Sequence, residues 1–220
     1  MKKIAILAAV ATFAVSCNSE KAAEATTGEA QEVQEVAAAT AVSIDAGAEV
    51  AWRGFKTYVG SEHVGTIGVQ EGSFDVAEGK VVGGNVVIDM NAIVNTDLED
   101  PGKNGYLLGH LKSPDFFFVD SFPTAVFEIV EVKEVAAEGT NSVVVGNLTM
   151  RGVTNSIEFP ASISVENGSV SFDAPTFSID RTKWGVKFHD SEDASIAESL
   201  KEDLIDHNIE LTISVTATNA

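Results

Sequence analysis

The sequence predicts an all-β fold: a single antiparallel barrel of eight strands with one or two short helices. Eight segments of the 220-residue chain are rich in β-branched and aromatic residues, and most of them alternate apolar with polar side chains. Helical patterning is confined to residues 103–112 and 191–206. Eight antiparallel strands can close into a barrel just wide enough for one small ligand, and closure removes exposed strand edges. A two-sheet sandwich is the alternative.

The predicted strands follow one another at short spacing after residue 41. They are Glu49–Lys56, Val64–Phe74, Lys80–Ile93, Ala125–Val132, Ser142–Met150, Asn155–Val165, Val170–Ile179 and Ile209–Ala217. The turn signals between them are Glu78-Gly79, Glu138-Gly139, Arg151-Gly152 and Glu166-Asn167-Gly168. Asn167-Gly168 is the strongest hairpin signal, because both residue types accept the positive φ angles of a type I′ turn.

The first 16 residues have the pattern of a secretory signal peptide. Met1-Lys2-Lys3 is basic, residues 4–15 are almost wholly apolar, and Ser16 precedes the single cysteine of the chain, Cys17. The apolar run is shorter than the roughly 20 residues of a transmembrane helix. Residues 14–17 resemble a bacterial lipobox, in which the cysteine is acylated and begins the mature protein. An ordinary signal peptide with a chance cysteine is the alternative.

Residues 17–40 are predicted to contain the lipidated cysteine and a flexible tether, which leaves residues 41–220 for the barrel. From Asn18 onward this stretch is rich in Ala, Glu, Thr and Gln and has no aromatic residue, so it cannot bury enough apolar surface to order itself as a domain. A frayed helix over residues 29–39 is the alternative. By analogy with other bacterial lipoproteins, Asn18 after the cysteine favours anchoring in the outer membrane, on its periplasmic face or at the cell surface.

The charge of the chain excludes one class of partner. Removal of residues 1–16 takes Lys2 and Lys3 from the 14 basic residues and leaves 12 against 33 acidic ones, a formal charge of −21. A nucleic-acid-binding protein needs a basic surface, so nucleic acid is excluded as a partner. An anionic lipid surface would also repel such a domain, so an acyl chain would have to hold it at a membrane. The oligomeric state stays open, and a homodimer is one option.

Eight short motifs together resemble the YceI-like family of exported, lipocalin-like isoprenoid-binding proteins. They are Val50-Ala51-Trp52, His63-Val64-Gly65-Thr66-Ile67, residues 83–90, Asp97-Leu98, residues 109–117, residues 122–127, residues 146–154 and residues 177–185. They follow the order of the family over most of residues 42–220. The resemblance implies a lipocalin-like barrel whose apolar lumen holds a long isoprenoid-type chain, and it implies no enzymatic reaction.

Aromatic residues supply most of the predicted ligand-binding set. Apolar walls suit a polyprenyl chain, because burying an unpaired polar group costs about 1–3 kcal/mol. The aromatic candidates are Trp52, Phe74, Phe116, Phe117, Phe127, Phe159, Phe172, Phe177 and Trp184. From composition alone an ordinary packed core is the simpler interpretation, and the resemblance reverses that order.

Two polar residues complete the candidate set. His110 could orient the polar head of a ligand or form a hydrogen bond at the end of a helix. Arg181 could bind a diphosphate or quinone oxygen with two hydrogen bonds, or it could pair with Asp180 and stack on Trp184. The four histidines lack the spacing of a metal site, so no metal is expected. No cofactor is expected either, and a polyisoprenoid or quinone would be bound as a ligand.

These observations predict a lipid-anchored envelope protein that binds, sequesters or carries an isoprenoid-type amphiphile, such as a polyprenyl phosphate or a quinone. Two alternatives remain. One is a structural or protein-binding envelope lipoprotein whose barrel is filled. The other is a secreted hydrolase that uses His63 or His110.

Replacement of the single cysteine tests the predicted anchor. We expect the wild-type protein to fractionate with membranes and to carry the extra mass of acyl chains. The Cys17→Ser variant should appear in the soluble fraction with an unchanged melting temperature, because the cysteine lies outside the predicted domain. Cell fractionation and intact-protein mass spectrometry measure both effects. A soluble wild-type protein without lipid mass would show that the anchor is absent.

Overall fold

The computed structural model describes residues 22–34, 36, 38–137, 139–190 and 198–219. The predicted signal peptide, Cys17 and residues 191–197 of the second predicted helix lie outside the described residues. The described part is a closed antiparallel barrel, which confirms the predicted fold class and excludes the sandwich. None of the helices in this part is long and apolar enough to span a membrane.

All eight predicted strands are present, and three short strands precede them. The strands are β1 (Ala23–Glu24), β2 (Thr26–Glu29), β3 (Thr40–Ile44), β4 (Glu49–Phe55), β5 (Glu62–Ala77), β6 (Lys80–Asn95), β7 (Thr124–Ala137), β8 (Thr140–Met150), β9 (Val153–Glu166), β10 (Ser169–Asp180) and β11 (Asn208–Thr218). The helix α1 spans Pro101–Lys112, and two 3₁₀ helices span Arg181–Trp184 and Glu198–Asp203. The second predicted helix is therefore a short 3₁₀ helix in its described part.

The barrel closes because strands β5 to β11 pair in chain order and β3 and β4 share the remaining position. Both β3 and β4 pair with β5 on one side and with β11 on the other. The hairpins β5–β6, β7–β8 and β9–β10 lie at one end of the barrel, which we call the hairpin end. The helix α1 and the 3₁₀ helix Arg181–Trp184 lie at the other end, which we call the mouth end.

Tight turns at glycine connect three of the strand pairs. Asn167 and Gly168 have φ angles of 52° and 82°, so the predicted type I′ hairpin is confirmed. Glu78-Gly79 and Arg151-Gly152 have the same pair of positive φ angles, and each joins two directly paired strands. The second position of each turn has the larger φ, between 73° and 82°, which a Cβ atom disfavours more strongly, and glycine stands there in all three turns.

The N-terminal segment forms part of the barrel wall, so the tether prediction is wrong for residues 23–29. Strands β9 and β10 pair only from the hairpin end as far as Ser162 and Asp173. Pro160 and Pro175, which have no N–H group to donate, lie just beyond this point, where the two strands separate. Strands β1 and β2 fill the gap: β1 pairs in parallel with β10, and β2 pairs antiparallel with β9.

Two contacts fix this N-terminal segment to the barrel. Ala25 is buried, and its N–H donates to the carbonyl of Ser178 at 2.8 Å. The buried side chain of Asn147 on β8 accepts from the N–H of Gln31 at 2.9 Å and donates to the Gln31 carbonyl at 2.7 Å. These backbone pairings order a segment whose own side chains offer little apolar surface. No helix is present at residues 29–34, against the alternative of a frayed helix there.

Substitution of the buried alanine tests this arrangement. Ala25→Asp would place a carboxylate in the apolar gap between β9 and β10, and we expect the free energy of unfolding to fall by at least about 1–3 kcal/mol. The exposed neighbour Glu24 supplies the control, since Glu24→Ala should change stability by less than about 0.5 kcal/mol. Urea unfolding of both variants measures the difference. Equal stability of Ala25→Asp and the wild type would support a detached N-terminus instead.

Candidate functional site

The mouth end of the barrel encloses an apolar cavity of about 480 Å³. The walls come from β4 to β8, β10 and β11, and α1 covers one side. The apolar side chains that line it are Val50, Trp52, Phe55, Ile67, Ile88, Met90, Ile93, Leu107, Leu111, Phe116, Phe117, Ala125, Leu148, Met150, Ile179, Phe188, Ile205, Ile209 and Leu211. Cavities of roughly 300–1,000 Å³ with such walls are typical of ligand-binding sites.

Local sequence fixes the position of α1 over the cavity. Asp100 caps the helix by accepting from the N–H groups of Gly102 and Lys103, and Pro101 stands in the first turn, where its missing N–H costs nothing. Ser113 ends the helix just before Pro114. Within it, Leu107 and Leu111 point into the cavity, whereas Tyr106 at the cavity edge is 79% exposed.

The phenylalanine run after α1 divides its side chains between two places. Successive turns hold residues 114–117, with Phe117 N–H donating to the carbonyl of Leu111 at 3.0 Å. Phe116 and Phe117 line the cavity, and Arg151 donates to the Phe116 carbonyl. Phe118 has a positive φ of 49° and packs instead against Phe122, at a ring distance of 5.9 Å. Because the chain reverses direction here, consecutive side chains can be buried in two different places. This reversal explains why three aromatic residues follow one another.

Five of the eleven predicted ligand-binding residues line the cavity. They are Trp52, His110, Phe116, Phe117 and Arg181. The other six lie outside its lining and pack within the barrel: Phe74, Phe127, Phe159, Phe172, Phe177 and Trp184. The five phenylalanines lie on the inner face of their strands, as period-2 alternation indicates, but alternation does not give their height along the barrel axis, and Trp184 lies in a 3₁₀ helix.

Three of these six residues form an aromatic layer directly beneath the lining of the cavity, which we call the aromatic floor: Phe127, Phe159 and Phe177. Phe127 and Phe177 are each one inward-facing position closer to the hairpin end than a lining residue, namely Ala125 and Ile179. The rings of Phe159 and Phe177 stack at 4.3 Å, and Phe127 lies 5.7 Å from Phe159. Below them, Phe74 and Phe172 stack at 5.3 Å. The hairpin end of the barrel is therefore filled.

The two tryptophans have different roles. Trp52 crosses Gly65 on β5, where a Cβ atom would come within 1.9 Å of the Val94 carbonyl and 2.8 Å of the Trp52 ring. This packing explains why both Trp52 and Gly65 belong to the motifs at the start of the domain. Trp184 is completely buried, and its Nε1 donates to the carbonyl of Leu148 at 2.8 Å. It closes the barrel beside the cavity.

Arg181 organises the mouth through main-chain contacts. The residue is 1% exposed, and its guanidinium donates to the carbonyls of Val186, Ile205 and Asp206 at 2.7, 3.0 and 2.9 Å. Burial lowers the pKa of Arg181, an effect that nearby carboxylates oppose.

The predicted alternative for Arg181, an ion pair with Asp180 and a stack on Trp184, is not what the structure shows. Asp180 instead caps the 3₁₀ helix by accepting from the N–H and hydroxyl of Thr182. Arg181 lies over the ring of Phe116, at 5.9 Å from its centroid.

Polar lining residues gather at the solvent-facing opening of the cavity, which we call the mouth. They are Lys56, Ser61, His63, His110, His189 and Asp203. Lys56 pairs with Asp203 at 2.9 Å, and His63 Nδ1 lies 2.9 Å from Asp97 Oδ2. Burial opposes ionisation of Asp97, but hydrogen bonds from His63, Val64 and Asn95 outweigh it and hold the pKa of this carboxyl below its ordinary value.

Sequence patterning did not identify Phe188 and its neighbours in the segment after Trp184. Phe188 packs edge-on against His110 at 4.5 Å and lies 5.7 Å from Phe116, so it completes the aromatic rim of the mouth. It lies in an irregular segment without periodicity, where sequence carries no signal for orientation. In contrast, the alternation of Ile209 and Leu211 on β11 does predict their inward direction.

Among the described residues, no group of three or more His, Cys, Asp or Glu could hold a metal ion.

Comparison with known proteins identifies related sequences. A family model described as the YceI-like domain matches residues 19–217. A UPF0312 protein of Staphylococcus aureus is 33% identical over 93 residues, which cover 40% of this chain and 50% of that protein. A UPF0312 protein of Pseudomonas aeruginosa is 44% identical over 54 residues, covering 24% of this chain and 27% of that protein. The chain thus spans half or less of the length of these curated relatives.

Solved structures share the fold. BcnA of Burkholderia cenocepacia superposes with a TM-score of 0.52 at 19% identity, covering 78% of this chain and 96% of BcnA. A polyisoprenoid binding domain of Saccharophagus degradans, implicated in plant cell wall breakdown, gives 0.55 at 12% identity, covering 81% and 98%. The YceI protein of Campylobacter jejuni gives 0.50 at 18% identity, covering 100% and 99%. At these identities the likeness shows the fold alone.

A pair of arginine variants tests the structural role of Arg181. Arg181→Met should lower the free energy of unfolding by at least about 1–3 kcal/mol, because three carbonyls lose a buried donor. Arg53 is the matched control, since it is partly exposed and pairs with Glu62 and Glu210 on the barrel surface. Arg53→Met should cost about 0–1 kcal/mol. Thermal melts of both variants decide, and similar losses would contradict the assigned role of Arg181.

Proposed function

The chain belongs to the YceI-like domain family, and from that premise we propose that it binds and carries an isoprenoid-type amphiphile in the cavity at the mouth end. The observation that carries the proposal is an apolar cavity that enters a closed barrel from its mouth end, with its polar groups gathered toward the opening. Burial of a hydrocarbon chain contributes about 0.8 kcal/mol per CH₂ group, and the walls present almost no polar atoms that such a chain would leave unpaired. The name of the Saccharophagus relative agrees with this ligand class.

The head of the ligand would lie at the mouth, between Tyr106, His63 and His189. A polyprenyl phosphate and a quinone are the two head chemistries under consideration. Three basic residues that line the cavity already have acceptors: Lys56 has Asp203, His63 has Asp97, and Arg181 has three carbonyls. A phosphate would compete with these partners, whereas a quinone or hydroxyl head needs only single hydrogen bonds. The arrangement therefore favours the uncharged head.

We propose that the barrel works at the bacterial envelope, held by acylation of Cys17 in the outer membrane. The support is the lipobox-like segment around the single cysteine and the apolar run before it. Such a location would place the mouth close to a source of membrane-soluble cargo. We propose no chemical reaction at the site. A barrel filled throughout would favour the structural or protein-binding alternative, and the cavity speaks against it.

Native mass spectrometry tests the binding function. The full chain carrying Cys17→Ser allows purification without detergent, which would otherwise compete for the cavity. We expect a co-purifying mass of isoprenoid size, or stoichiometric uptake of an added prenol or short-chain quinone. Competition between a prenol and the corresponding prenyl phosphate reports the preferred head. A protein that is isolated empty and takes up neither class of compound would overturn the proposal.

Two phenylalanine variants separate binding from packing. Phe117→Trp adds volume to the cavity wall, so we expect at least a tenfold loss of ligand with a melting temperature close to that of the wild type. Phe159 belongs to the aromatic floor and is 2% exposed. Phe159→Trp should therefore cost about 1–3 kcal/mol of stability through overpacking. Melting and ligand retention must be measured on the same samples, and a large stability loss in Phe117→Trp would contradict an open cavity at this wall.

A further inference from the structure

We infer that the cavity limits the isoprenoid tail to about three isoprene units, and that the aromatic floor of Phe127, Phe159 and Phe177 sets this limit. The inference rests on the proposed function and makes it more specific. The family resemblance implies a long isoprenoid chain in the lumen. The structure of this chain instead fills the hairpin end of the barrel with its own side chains.

The depth of the cavity supports the limit. Along β4 the lining runs from Val50 to Phe55, five residue steps, which is about 17 Å at the usual rise of a strand. Along β5 it runs from Ile67 to His63, four steps or about 13 Å. An extended isoprene unit contributes four chain bonds of about 1.5 Å each and spans roughly 5 Å after allowing for the zigzag. Barrel strands tilt by about 35–45° from the barrel axis, so these spans correspond to a depth of roughly 10–13 Å, which accommodates no more than about three units of an extended tail.

The volume leads to the same number independently. Each isoprene unit has five carbon atoms, and a heavy atom with its hydrogens occupies about as much space as a water molecule, roughly 30 Å³. One unit thus fills about 150 Å³, so a cavity of about 480 Å³ holds about three units. A longer tail could not fold back on itself within this space. Its additional units would remain in water outside the mouth.

The floor is built so that it resists opening. The stacked pair Phe159 and Phe177 is 2% and 1% exposed, and a second stacked pair, Phe74 and Phe172, lies beneath it. Phe127 lies directly over Gly146, where even a Cβ atom would approach its ring to 2.3 Å. A tail that passed the floor would have to displace several close-packed rings together, and close-packed interiors have few voids to receive them.

Two variants shift the predicted limit in opposite directions. Phe127→Leu removes three carbons of the floor, about 90 Å³ at the same 30 Å³ per carbon, and should allow part of a fourth unit to be buried. Ala125 lies one inward position above Phe127 and lines the cavity, so Ala125→Leu should shorten it. The probes are uncharged prenols with two, three, four and eight isoprene units. Their dissociation constants are measured by native mass spectrometry, and melting temperatures report the fold of each variant.

For the wild type we expect the affinity to rise about tenfold or more from two to three units, because each added unit buries five carbons. From four to eight units it should change by less than about threefold, because the added units stay in water. The rise should continue to four units in Phe127→Leu and stop at two in Ala125→Leu. If Phe127→Leu does not fold, the wild-type profile and Ala125→Leu decide.

The contrary outcomes are distinct. An affinity that keeps rising to eight units in the wild type overturns the limit and leaves the binding function intact. Folded variants with an unchanged length profile overturn the role of the floor. Failure of all four prenols to bind overturns the proposed function itself, and with it this inference.

Discussion

Closure of the sheet is the constraint on which the rest of this structure depends. A closed barrel of eight strands has an interior of fixed width, which must be occupied by side chains or by something else. This chain divides that interior into two halves. Stacked phenylalanines fill the hairpin end, and smaller aliphatic side chains such as Ile88, Ala125 and Leu148 leave the mouth end open. The cavity is therefore a consequence of side-chain size along strands that share one alternating pattern.

The mouth depends on a different kind of interaction. The segments on either side of the undescribed residues 191–197 lack regular pairing, and buried polar contacts connect them to the barrel. Arg181 donates to one carbonyl before these residues, that of Val186, and to two after them, those of Ile205 and Asp206. The side chain of His207 is hydrogen-bonded to Asp190. One guanidinium thus stabilises a region in which β-pairing is limited to isolated bridges of Ile205 with Lys56 and Asp190. The apolar cavity and its polar rim are consequently stabilised by separate means.

The strands could be predicted from sequence because a half-buried strand has an apolar residue at every second position, on its inner face. The need for apolar walls, together with the family resemblance, also put Phe116 and Phe117 in the candidate binding set, and both line the cavity. Alternation could not distinguish Phe159 in the floor from Leu148 in the wall, since both simply face inward. The height of a residue along the barrel depends on strand register, which is set by the partners. Phe188 was missed because an irregular segment has no period to interpret.

The N-terminal strands were missed for a more general reason. Their residues are mostly Ala, Thr, Glu and Gly, which bury little apolar surface, and composition therefore indicated a flexible segment. Their order comes from backbone hydrogen bonds offered by β9 and β10, where Pro160 and Pro175 prevent those two strands from pairing with each other. The unpaired edges of β9 and β10 lie more than a hundred residues away along the chain, so the local sequence of the N-terminal segment gives no sign of them.

The same strands determine how far the barrel could travel from a membrane. Six residue steps separate Cys17 from Ala23, the first residue of β1. Fully extended, they reach about 20 Å. An acyl group at Cys17 would thus keep the barrel close to the bilayer surface, within about one barrel diameter of the lipid headgroups. If Cys17 is acylated, a connection of this length would let the barrel meet only its own leaflet or a second protein beside it, and it would not let the barrel span the space between two membranes.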